Sequence, residues 1–261
     1  MAELDGRPAD PAALAALALT GYGHYTSMRV EGDRVRGLAL HLDRLGRDCR
    51  LLFDADLDTD RVRHLVRHAL AGVPQPVVAR VTVFDPDLTA ARPGAGARPR
   101  VLVTTRPAVD LPEPPLRLHA VRHQREAPEV KHVAVFGALR SRRAAQRAGF
   151  DDALLVDVGG TVAEAATSNV GFVAGDRLVW PAAPMLPGVT MALLERVHDG
   201  PVGREPVTLG DLGRFDAALA TNAVAGVRAV ACVDDVGWAG DGHPVLAALR
   251  AAYAALPPER L

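Results

Sequence analysis

The chain has 261 residues, 49% of them hydrophobic, enough for one large or two small domains with a sizeable core. Its 30 basic and 31 acidic side chains leave a formal net charge of -1, and aromatics make up only 4%, so neither nucleic acid nor an anionic membrane is an expected partner. No apolar run is long enough to span a bilayer, and the N-terminus carries Glu3, Asp5 and Asp10 instead of a basic flank, which leads to the expectation of a soluble cytoplasmic protein.

Residues 11–19 read as a short helix or strand. Tyr25–Val30 reads as a strand, and Glu31-Gly32-Asp33 turns the chain into a hairpin arm over Arg34–Leu40. From His41 the period becomes helical: Leu42, Leu45, Cys49 and Leu52 share a face, with Asp43, Arg47 and Arg50 elsewhere. A second helix fits Asp60–Ala71, ended by Gly72 and Pro74. Val77–Phe84 and Val101–Thr105 are strands around a loop rich in Pro, Ala and Gly. Four prolines between Arg106 and Pro115 mark a semi-rigid connector. The expected organisation is therefore an N-terminal α+β domain (1–107), a linker (108–115) and a C-terminal domain (116–261).

Beyond the linker, Leu116–Arg122 is a strand, and an arginine-rich helix runs from about Gly137 to Ala148, closed by Gly149. Ala153–Val158, Thr161–Ala163, Val170–Val173 and Leu178–Trp180 follow as strands, with turns at Gly159-Gly160 and Gly175-Asp176. Gly188-Val189-Thr190 opens a helix through Leu193, Leu194 and Val197. Ala217–Ala220 and Ala229–Val233 close the domain as strands. The fold class is mixed α/β (α+β), without internal repeats. Cys49 and Cys232 read as two buried thiols acting as small hydrophobes.

Lys131 is the only lysine of the chain, in the segment Glu129-Val130-Lys131-His132-Val133-Ala134-Val135-Phe136. Downstream, Glu164 is a lone carboxylate among Ala163, Ala165 and Ala166, an environment in which a charge needs a buried partner. Upstream are Gly21-Tyr22-Gly23-His24-Tyr25-Thr26-Ser27-Met28-Arg29-Val30 and His41-Leu42-Asp43-Arg44-Leu45. Later come Leu186-Pro187-Gly188-Val189-Thr190 and Ala220-Thr221-Asn222-Ala223. In their order and spacing these segments resemble the class IV aminotransferases, the fold-type-IV pyridoxal 5′-phosphate enzymes, over about Gly21 to Val230.

The resemblance implies a smaller N-terminal α+β domain, a larger C-terminal domain with a β-barrel-like sheet, and pyridoxal 5′-phosphate held between them. It implies a homodimer acting on a small amine or amino-acid substrate. Lys131 matches the Schiff-base lysine, the catalytic acid and base. Glu164 matches the carboxylate that pairs with the pyridine nitrogen. Arg44 matches the phosphate-binding arginine, and Val189 and Thr190 the helix start that receives the phosphate on its backbone N–H groups. Thr221 and Asn222 match a late loop giving a further hydroxyl or amide contact. Transaminases of the family have a tyrosine five residues after the lysine; here that position is Phe136. Together with Lys131-His132 and Asn222-Ala223, this leans toward 4-amino-4-deoxychorismate lyase, which releases pyruvate and forms 4-aminobenzoate. An amino-acid transaminase and a non-catalytic cofactor-binding homologue stay open. Gly21-Tyr22-Gly23 and Met191 depart from the family's Gly-Asp-Gly and from its usual arginine. Arg29, Arg106 and Arg122 are all candidates for a substrate carboxylate.

No metal site is expected. His64 and His68 have helical i, i+4 spacing but neither a following glutamate nor a third ligand, which suits a solvent-facing helix edge. His119, His123 and His132 lack ligand spacing. Arg140, Arg142, Arg143 and Arg147 read as a solvated helix face or a subunit contact.

Overall fold

The computed structural model describes residues 2–108 and 114–261. The chain forms two compact units. The first gathers Met1–Val109, Val130–Ala134 and Pro257–Leu261; the second gathers Asp110–Glu129 and Val135–Leu256. The expected linker meets this junction, although its residues 109–113 lie outside the described ones. The expected domains are continuous, whereas two later segments return to the first unit, and one of them carries Lys131. Backbone hydrogen bonds are the reason: Tyr25 N donates to Lys131 O at 2.8 Å and Val133 N to Gly23 O at 2.9 Å.

The first unit contains β1 (Ala2–Leu4), β2 (Arg7–Pro8), α1 (Pro11–Thr20), β3 (His24–Val30), β4 (Arg34–Val35), α2 (Leu38–Phe53), α3 (Thr59–Ala69), β5 (Val77–Phe84) and β6 (Arg100–Pro107). Five strands form an antiparallel sheet in the order β2-β1-β6-β5-β3. Along β3 the pleat alternates: His24, Thr26, Met28 and Val30 are buried, while Tyr25, Ser27 and Arg29 are half-buried. The buried face meets α2, whose Leu38, Leu42, Leu45, Cys49 and Phe53 recur at helical spacing. Each large apolar side chain so buried contributes roughly 1.5–3 kcal/mol. The hairpin arm expected over Arg34–Leu40 is strand only at β4, because Gly37 adopts a left-handed φ of 69° and starts α2 at Leu38. β4 pairs instead with the returning segment Glu259–Arg260. Asp58 caps α3 by accepting from Arg61 N at 2.9 Å. His64 and His68 face solvent, and no cluster of metal-ligating side chains occurs among the described residues.

The second unit continues with β7 (Leu116–Arg122), α4 (Phe136–Arg147), β8 (Asp152–Val156), β9 (Val162–Ala165), β10 (Asn169–Ala174), β11 (Arg177–Pro181), α5 (Val189–Val197), β12 (Val202–Glu205), β13 (Ala217–Asn222), β14 (Gly226–Val233), β15 (Val236–Gly237) and α6 (Pro244–Ala255). Its sheet runs β12-β11-β10-β13-β14-β7-β8-β9, with β15 on β14. It curls, and an antiparallel bridge joins Ala165, at the end of β9, to Ser168, just before β10. Phe172, Phe215, Leu118 and Val230 fill one core. On another, α5 and α6 pack Met191, Leu194, Leu246 and Leu249 with Trp180 and Leu219. Contrary to expectation, only Cys49 is a buried thiol; Cys232 is half-buried. Burial pushes the Cys49 thiol up to about 11. No helix among the described residues is long and apolar enough to cross a membrane.

Candidate active site

Lys131 and Arg44 lie in the first unit. α2 carries a polar ridge on its buried side: His41, Arg44 and Asp48 are 0%, 7% and 1% exposed at i, i+3 and i+7. Arg44 Nη2 donates to Thr26 Oγ1 at 2.6 Å, and the same oxygen lies 2.6 Å from His41 Nδ1. A threonine hydroxyl has one hydrogen. It accepts from Arg44, and both a second lone pair and that hydrogen remain for the contact with His41 Nδ1. His41 is held neutral, its pKa well below 6.5, by burial first and then by the charges of Arg44 and Lys131. Burial likewise draws Arg44 down to about 10, partly offset by Asp48. Arg44 Nε is buried without a hydrogen-bond partner. Lys131 is half-buried, with Nζ 5.0 Å from the centre of the Tyr25 ring, and Arg80 Cζ lies 3.6 Å from that centre. The Lys131 backbone N–H donates to Asp48 Oδ2 at 3.2 Å.

In the second unit Glu164 sits on β9, 6% exposed. Arg125 Nη1 donates to its Oε1 at 3.0 Å, and Leu186 N approaches the same oxygen at 3.4 Å. Leu186 O accepts from Asn169 Nδ2 at 2.7 Å, and Asn169 pairs in register with Thr221. Asn169 also presses on Gly188, where an added Cβ would collide with its Oδ1. Gly188 heads α5 with no side-chain cap. The Thr190 and Thr221 side-chain oxygens, each in a residue 1% exposed, have no partner. An uncapped helix start beside two unmatched hydroxyls favours an anion rich in acceptor oxygens. Leaving such a group buried and unpaired costs about 1–3 kcal/mol.

Asn222 has its side chain engaged in the local turn. Its Oδ1 accepts from Val224 N at 2.9 Å and Ala225 N at 2.8 Å, and its Nδ2 donates to Ser168 Oγ at 3.0 Å, so its side chain shapes the turn from β13 to β14. Met191 is buried in the α5–α6 core. Arg29 pairs with Glu31 at 2.7 Å, while Arg106 and Arg122 are exposed. Phe136 begins α4 and is 79% exposed. Four contributors went unread in the sequence: Thr26, Asp48, Arg80 and Arg125. Asp48 carried a signal, one helical turn beyond Arg44. Arg125 carried none, because its partner lies 39 positions away.

A curled sheet with its uncapped α5 in one unit, and an antiparallel sheet in the other, define a mixed α/β protein of fold type IV. Residues 23–233 match the model of amino-transferase class IV, and the chain belongs to that family. The family's members are enzymes that use pyridoxal 5′-phosphate. Among solved structures, the chain is similar to the branched-chain aminotransferase of the thermophilic archaeon Thermoproteus uzoniensis with norvaline (TM-score 0.85, 18% identity, 97% of this chain and 93% of that one). It is similar to the branched-chain amino acid aminotransferase of Escherichia coli (0.82, 20%, 92% and 86%). A provisionally assigned 4-amino-4-deoxychorismate lyase of Legionella pneumophila is also similar (0.79, 22%, 90% and 90%). Among curated proteins, none matches the sequence.

Proposed function

We propose that this chain is a pyridoxal 5′-phosphate-dependent lyase that converts 4-amino-4-deoxychorismate to pyruvate and 4-aminobenzoate. The fit to the cofactor rests on groups lacking an internal partner: Thr190 Oγ1, Thr221 Oγ1 and Arg44 Nε, all buried donors suited to phosphate oxygens. Arg44, Thr190, Thr221 and the α5 backbone at Val189 would hold the phosphate, with Asn222 contributing through the turn it shapes. Lys131 would bind the aldehyde carbon, and Glu164 would keep a proton on the pyridine nitrogen. When bound, the cofactor supplies an electron-accepting ring that stabilises negative charge on the substrate carbon.

Lys131 would take the proton from the amine-bearing carbon of the substrate. The bond from the neighbouring ring carbon to the enolpyruvyl oxygen breaks, and the departing group gains a proton to become pyruvate. Arg125 Nη1, 3.0 Å from Oε1, holds Glu164 in position throughout. The observation that carries the choice of lyase is Phe136: the position five beyond the lysine offers no hydroxyl to the cofactor. We take the enzyme to be cytoplasmic and to work as a homodimer, a reading supported by Phe136 and Leu139, 79% and 57% exposed one turn apart on α4.

The test has two stages. Borohydride reduction of the yellow holoprotein should leave a pyridoxyl adduct on Lys131, and a colourless protein that takes up no cofactor refutes the family chemistry. Holoprotein given 4-amino-4-deoxychorismate without a keto acid should then release pyruvate at catalytic turnover, while amino acids with 2-oxoglutarate or pyruvate give little amine transfer. Robust transfer without pyruvate release makes it a transaminase; neither activity makes it a non-catalytic homologue.

A further inference from the structure

We infer that Asp48 is a positioning residue that presents Lys131 to the cofactor, an inference that rests on the function proposed above. Asp48 is 1% exposed, and its two oxygens do different work. Oδ1 accepts from Arg47 Nη2 at 2.6 Å and Nε at 3.0 Å. Oδ2 accepts the backbone N–H of Lys131 at 3.2 Å. The carbonyl of the same lysine accepts from Tyr25 N at 2.8 Å, so both of its backbone polar groups are tied, one to α2 and one to β3.

A buried carboxylate is a costly way to satisfy one backbone N–H, which a neutral acceptor would also serve. What the carboxylate adds is a strong, charge-assisted tether on a rigid element. Arg44 and Asp48 are four residues apart on α2, about 6 Å along the axis. One turn of one helix therefore sets the distance between the guanidinium proposed for the phosphate and the α-carbon of the lysine proposed for the aldehyde. Those two ends of the cofactor must be met together. A lysine whose backbone drifts still has its amine, but the amine spends less time at the aldehyde carbon.

Two probes separate this role from a general structural one. Pyridoxal 5′-phosphate reacts with Lys131; pyridoxine 5′-phosphate, which lacks the aldehyde, fills the same phosphate and ring contacts without engaging the lysine. Both would be titrated into apoprotein of wild type, Asp48→Ala and Asp48→Asn. Asp48→Ala should weaken the aldehyde probe by about tenfold or more and the pyridoxine probe by no more than about twofold, the loss of one charge-assisted hydrogen bond appearing only where the lysine takes part. Asp48→Asn, nearly isosteric and the variant to read if alanine does not fold, should show the same selectivity at about threefold. Equal losses for both probes at Asp48, or no loss for either, overturns the inference. Failure of wild-type apoprotein to bind either probe instead refutes the proposed function.

Discussion

Removing Arg125 tests whether Glu164 is held as a buried charge. Arg125→Met keeps most of the side-chain volume and takes the guanidinium away from a carboxylate that is only 8% exposed. Breaking a buried pair costs about 3–5 kcal/mol. The guanidinium side chain is 14% exposed, which admits some solvent and reduces the expected loss to about 2–3 kcal/mol. Arg125 Nη1 also donates to Pro128 O at 3.0 Å, and that bond is lost as well. A double-mutant cycle with Glu164→Gln removes this second contribution, because it is lost in both backgrounds. The expected coupling between Arg125 and Glu164 is about 2 kcal/mol, a factor of roughly 30 in the unfolding constant. Urea unfolding followed by tryptophan fluorescence is the assay, since both tryptophans, Trp180 and Trp238, lie in the second unit with this pair. If Arg125→Met destabilises the Glu164→Gln protein as much as wild type, Glu164 is not stabilised as an ion and the argument fails.

Two further predictions concern the two units separately. His24, fully buried, has its pKa lowered to about 3 by burial first and then by Arg44 and Arg47, and His41 is shifted the same way. The unfolded chain binds protons at these rings near 6.5 while the folded chain does not, so their stabilisation is complete above that pH and is lost as pH falls below it, for His24 down to about 3, by up to about 1.4 kcal/mol per pH unit for each ring. His24→Phe should flatten the pH dependence of urea stability between pH 6 and 5, read by far-UV circular dichroism, by about that amount; an unaltered slope counts against a neutral His24. In the second unit, Gly188→Ala drives a methyl group into Asn169 Oδ1 and should cost about 1–3 kcal/mol of stability while weakening pyridoxine 5′-phosphate. Wild-type affinity in that variant would detach the start of α5 from phosphate binding.

Sequence periodicity exposed the elements long enough to have a period. The strand reading of Tyr25–Val30 and the helical spacing of Leu42, Leu45 and Cys49 on α2 are both borne out. Strands of two or three residues, such as β2, β4 and Glu259–Arg260, have no period to detect and exist through pairing with distant segments. α6 escaped for the opposite reason: its alanine-rich run is apolar on nearly every side and shows no polar face. Among the candidate site residues, Lys131, Arg44 and Glu164 stood out in the sequence by residue type and surroundings. Residues that act through partners did not. Arg125 is meaningful only beside Glu164, and Thr26 only beside Arg44 and His41. Asn222 was readable as a polar residue in a promising motif, but its hydrogen bonds are spent on the local turn.

The first unit begins the chain, yet it is the later to be completed during synthesis. Its lysine-bearing segment emerges only after residue 130, and the strand that pairs with β4 only after residue 257, when the contiguous stretches of the second unit have already been made. Closing loops of that length costs little more entropy than closing shorter ones, but it is slow, because contacts so remote in sequence must be searched for. The β3–β5–β6 sheet can therefore receive residues 130–134 before most of the second unit has been made, whereas β4 gains its partner strand only after the second unit is complete in sequence.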